Sequence, residues 1–167
     1  GNGSSAKEIL NAMEKAGIDA DPVDIGLTAA AMCRNNLSET GWWRRALNLL
    51  KEHSQGDSDT TVTLHNNPIP IQAFDAVLEC MVEERQWKEA VRLLRLMEKG
   101  SSANNAKKKV GIYPKPAVST YRAVIESCTV SKQAEQAIQI LTKMKSQGIK
   151  VRGFKGMPTN GTYIDSE

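Results

Sequence analysis

Histidine is scarce in this chain: His53 and His65 are the only two in 167 residues, and neither has a Cys, Asp or Glu at ligand-like spacing. The sequence also lacks a Gly-rich phosphate loop, a nucleophile elbow and a paired acid motif. The expectation is therefore a non-enzyme with no catalytic, cofactor-binding or metal-binding residue and no small-molecule substrate. Cysteine is sparse too. Cys33, Cys80 and Cys128 lie 47 and 48 residues apart, without the close pairs of a zinc site or a small secreted disulfide scaffold, and read as reduced packing residues. No apolar run approaches the roughly 20 residues of a membrane span, and nothing resembles a secretory signal, so the chain is expected to be soluble or peripheral. It opens on Gly1-Asn2-Gly3 without an initiator methionine, as a processed or excerpted sequence would. A strong charge of either sign is missing as well. A net +3 and a pI near 8.8 fall short of the strongly basic face of a dedicated nucleic-acid binder.

What the chain does have is a repeat. Ala6, Ile9, Leu10, Met13 recurs as Ala46, Leu49, Leu50, His53, then as Ala90, Leu93, Leu94, Met97, and again as Ala137, Ile140, Leu141, Met144. Alanine followed by apolar side chains at +3, +4 and +7 is one stripe of a 3.6-residue helix. The small residue at a fixed place in each copy implies close helix approach there. Gly17, Gly56, Gly100 and Gly148 follow the stripes, where a left-handed residue would end a helix. A second helical pattern precedes the later stripes: Ile71, Phe74, Val77, Leu78, Met81 superposes on Val118, Tyr121, Val124, Ile125, Cys128 at a constant offset of 47. Two helices per unit make a hairpin that cannot bury both its faces alone, so neighbouring hairpins must stack. The predicted fold is an all-α solenoid of antiparallel helix hairpins.

Residues 1–152 form the expected array: 1–18 as the second helix of a partial repeat, 21–56 as a degenerate repeat, 70–100 as a repeat followed by an inserted loop at 101–116, and 117–152 as a further repeat. The polar joints before Pro70 and Pro116 are long for a compact array, fall at the same kind of connection, and are expected on one edge of the stack. The helix over Ser5 to Gly17 should pack on the helix over Asp21 to Asn36 and leave apolar surface uncovered. The tail, 153–167, with Phe154, Met157, Tyr163 and Ile164 among glycines, is too irregular for a helix yet apolar enough to dock.

The stretch Pro116 to Arg152 resembles a pentatricopeptide repeat, on Tyr121 in its first helix, Ala137 and Met144 in its second, and the closing Gly148-Ile149-Lys150. Pro70 to Gly100 is similar, with Phe74, Ala90 and Met97 in those roles. The resemblance implies a right-handed superhelix, an organellar location in chloroplast or mitochondrion, and binding of single-stranded RNA at one base per repeat, read by two side chains. In that family the first reader follows the aromatic and is commonly Asn, Ser or Thr; the second ends the repeat and is commonly Asp, Asn or Ser. The equivalents here are Asp75 with Ala117 and Arg122 with Arg152, which depart from the family's types. In the degenerate repeat the first reader is Gly26 or Thr28 and the second Pro70.

Asp75, Glu79 and Glu83, spaced i, i+4, i+8, share the helix face that lines the groove in this family, where phosphate would be repelled. The expected function is accordingly a small adaptor subunit holding partner proteins in an organellar complex, with sequence-tolerant binding of single-stranded RNA as the alternative. Trp43 and Trp87 hold matched places three residues before a stripe alanine and are expected in packing. Trp42, which has no repeat partner, is a candidate contact residue, as are the basic loop of Lys107, Lys108, Lys109 and Lys115 and the tail aromatics Phe154 and Tyr163.

Overall fold

The computed structural model describes residues 3–18, 20–34, 40–54, 69–101 and 113–149. Among them lie seven helices and no strand: α1 (Gly3–Lys15), α2 (Pro22–Arg34), α3 (Trp42–Ser54), α4 (Ile71–Glu83), α5 (Trp87–Ser101), α6 (Val118–Val130) and α7 (Ala134–Ser146). The α4–α5 and α6–α7 hairpins start at positions 47 residues apart, the offset read from the sequence.

The helices form two layers. In the inner layer α2 packs on α4 and α4 on α6; in the outer layer α3 and α5 each bridge their own first helix and the next one, while α1 touches only α2 and α7 only α6. The alanine stripe fills the seams. Ala46, Ala90 and Ala137 are buried, as are Leu49, Leu50, Leu93, Leu94, Met97, Ile140 and Met144. The two ends show which neighbour covers which position. Ile9, the +3 stripe residue of α1, is 63% exposed because, among the described residues, α1 packs on α2 alone. Ile138, one residue past the stripe alanine of α7, is 60% exposed, whereas its counterparts Leu47 and Val91 are covered by the next inner helix. As expected, α1 packs on α2, through Leu10, and leaves apolar surface open.

The inner helices approach closely where side chains are small. A Cβ built on Gly26 of α2 would lie 3.2 Å from the Ala73 Cβ of α4, tighter than ordinary packing, so a larger residue there would have to push the helices apart by a few tenths of an ångström. The burial pattern of α2 (Ile25, Gly26, Thr28, Ala29, Met32, Cys33) matches that of α4 when Gly26 takes the place of Phe74. The absence of an aromatic at that place explains why this repeat reads as degenerate.

Helix ends follow a shared turn. At Gly17 and Gly148, both at φ 70°, the amide of the following residue donates back to Met13 and Met144 respectively. The first helices end the same way on non-glycine residues, Arg85 (φ 56°) and Lys132 (φ 59°), with Gln86 N–H on Met81 O and Gln133 N–H on Cys128 O. Gly100 does not terminate its helix, since α5 continues through it to Ser101. Gly56 and most of both long joints lie outside the described residues, so their shared edge is not described. The described end of the second joint is docked: Tyr113 packs edge-on against Phe74, ring centroids 5.9 Å apart at 62°.

Candidate partner-binding groove

The inner layer exposes a cleft of about 500 Å³ between α4 and α6, lined by Glu79, Val82, Glu83, Ser119, Arg122, Ala123 and Glu126. Its charge follows from helix geometry. Glu79 and Glu83 stand one turn apart on α4, Arg122 and Glu126 one turn apart on α6, and all four are exposed. Three carboxylates against one guanidinium leave the cleft acidic.

Asp75, the first acid of the α4 stripe, is committed to structure. Its carboxylate accepts the Ser119 hydroxyl at 2.6 Å and the Thr120 hydroxyl at 2.7 Å, both from α6. Thr120 Oγ in turn accepts the Ala117 N–H at 3.1 Å, closing the first turn of α6 that Ala117, with no side-chain oxygen, cannot cap by itself. The first-reader position of this repeat is therefore a bridge between consecutive hairpins.

A second brace sits at the other end of α4. Both carboxylate oxygens of Glu84 lie 2.8 Å from the Gly41 N–H at the start of α3, where the helix's positive end favours an acid. The Cys80 thiol donates to the same carboxylate at 3.7 Å.

The structure separates the remaining candidates. Trp42 does not present a contact surface: it is 8% exposed, packed in the core beside Trp43, with the Arg45 guanidinium 4.6 Å from its ring centre. Lying in the first turn of α3 next to Trp43, it enters the seam that its lack of a repeat partner had hidden. Trp43 is buried and Trp87 half-buried against the core. Arg122 and Lys115 are exposed, and Ala117 is half-buried at the start of α6. Neither Gly26 nor Thr28 faces open space, as both are buried. Lys107, Lys108, Lys109, Arg152, Phe154 and Tyr163 lie outside the described residues. The Ser119–Asp75–Thr120 clamp and the Glu84 brace were missed from the sequence, although Thr120 and Asp75 both stand beside the matched aromatics. Among the described residues there is no group of three or more His, Cys, Asp or Glu side chains that could hold a metal ion and no helix long and apolar enough to cross a membrane.

Stacked hairpins with a groove along their first helices define a helical-repeat binding module. Residues 73–101 match the pentatricopeptide (PPR) repeat and residues 108–150 the pentatricopeptide repeat domain, so these two stretches carry repeats of the pentatricopeptide-repeat family, whose members typically bind RNA. A comparison with curated proteins finds no match.

Proposed function

We propose that this chain is a non-catalytic adaptor that holds a partner protein through its inner groove, as a small subunit of an organellar assembly, the partner offering a lysine- or arginine-bearing segment. The observation that supports it best is the sign of the cleft. Glu79, Glu83 and Glu126 face Arg122 alone, which welcomes a cation and opposes a phosphate backbone, while Asp75 is occupied by two hydroxyls from α6. Lys115 and the Lys107 to Lys109 stretch would serve a separate, acidic patch of a partner. The second reading, sequence-tolerant binding of single-stranded RNA, is supported by the family match and by exposed Arg122 beside a matched aromatic.

Titrating the unaltered chain with a Lys/Arg-rich peptide and with a mixed-sequence single-stranded RNA at physiological salt separates the two. The adaptor reading expects peptide binding that falls at least about tenfold (1.4 kcal/mol) in the double variant Glu79→Gln, Glu83→Gln, with RNA binding weak before and after. Sub-micromolar, sequence-selective RNA binding that Arg122→Ala weakens by about 1–3 kcal/mol would replace it with the second reading.

A further inference from the structure

Cys33 and Cys80 are far apart in sequence and meet in the fold. Gly26 and Cys33 lie seven residues apart, hence on one face of α2, and Ala73 and Cys80 do the same on α4. Gly26 stands against Ala73 at the closest approach of the two helices, with Pro70 and Ile69 beside it. Because α2 and α4 run in the same direction, two turns further along brings Cys33 level with Cys80, close enough for each thiol to shift the other's ionisation. Each thiol is buried but not sealed, at 6% exposure.

We propose that Cys33 and Cys80 are a reversible disulfide site, closed by a peroxide, that clasps the inner helices of two consecutive hairpins. The pair is asymmetric in the way such a reaction needs. The neighbouring thiol holds the Cys33 proton on and lowers the Cys80 pKa, and the Trp43 backbone beside the Cys80 sulfur lowers it further. The Cys80 thiol donates to the Glu84 carboxylate at 3.7 Å, a contact that, like burial, works against the thiolate; the proton Cys80 gives up ends on the hydroxide released in the next step. Cys80 thiolate attacks one peroxide oxygen, the O–O bond breaks, and Cys80 becomes a sulfenic acid as hydroxide leaves. The Cys33 sulfur then attacks the Cys80 sulfur, the S–S bond forms, the S–O bond breaks, and water departs with the Cys33 proton. In sum two thiols lose two electrons and hydrogen peroxide is reduced to two waters. Cys128 is an internal control: it is fully buried on α6, and burial alone raises its pKa.

The test uses the full chain, treated with hydrogen peroxide, quenched, unfolded and labelled with a maleimide. The inference expects the labels to fall from three to one, with a cross-linked Cys33–Cys80 peptide recovered and all three labels restored by dithiothreitol. The oxidised chain should melt several degrees higher, because the bond closes a long loop in the unfolded chain. In Cys33→Ser, Cys80 should stop at the sulfenic acid and be captured by dimedone; dimedone capture needs no second thiol. Three labels after oxidation, a cross-link through Cys128, or label loss as sulfinic acid without a cross-link would each overturn it.

Discussion

The Tyr121 hydroxyl donates to Glu98 Oε1 of α5 at 3.0 Å, with the Gln147 side-chain amide 3.1 Å away, and Lys143 of α7 pairs with the other Glu98 oxygen. Burial first, then the hydrogen bond to Glu98, pushes the tyrosine pKa up from its ordinary 10 to about 12. A folded-state value above the unfolded one means that the phenol's contribution to stability is complete below pH 10 and is lost as pH rises toward 12. Urea unfolding across that window should show a steeper alkaline loss for the natural chain than for Tyr121→Phe, and parallel curves would discount the bond. Ser127 presents the opposite case. Its hydroxyl is fully buried and has no hydrogen-bond partner among the described residues, at the place Cys80 holds one repeat earlier. Ser127→Ala should therefore stabilise the chain, by about 1 kcal/mol in chemical denaturation; a loss of stability would reveal a partner for that hydroxyl.

Between elements, the decisive contacts run from one hairpin to the next. Asp75 ties α4 to α6 through two charge-assisted hydrogen bonds, so Asp75→Ala, which removes both, should cost about 1.5–3 kcal/mol, more than Ser119→Ala, which removes one, as read by thermal melting. The elements themselves were legible in the sequence because the hairpin repeats at a constant offset and its stripes bury one face: Ala46, Ala90, Leu93 and Met144 are where the pattern puts them. The site was only partly legible. Periodicity places Asp75, Glu79 and Glu83 on one face, but it does not show that Asp75 is consumed by Ser119 and Thr120, since a carboxylate bridge depends on the rotation of α6 against α4. Trp42 went astray for a related reason, because a residue without a repeat counterpart carries no periodic signal and its burial is set by the neighbour it meets. Gly26 was ambiguous until burial on α4 fixed its register.

In the whole molecule, α4 is the only described helix that packs on both inner neighbours, α2 and α6. Phe74, fully buried on α4 and met edge-on by Tyr113, stands at that crossing. Phe74→Ala should cost about 3–5 kcal/mol and also split urea unfolding into two transitions, because hairpins coupled only to their neighbours separate when the middle one fails. A single transition displaced to lower urea would show that coupling survives. The layering has a mechanical consequence as well. Inner helices touch in an unbroken line, whereas no described outer helix is packed backbone-close on another, and a crevice of about 130 Å³ between α5 and α7 is spanned by the Lys143–Glu98 ion pair. Such a stack is stiff along its inner line and compliant along its outer one, like a spine with hinged ribs. A load applied by a bound partner should bend it by opening or closing the outer gaps, leaving the inner spacing set by Gly26 and Ala73 nearly constant.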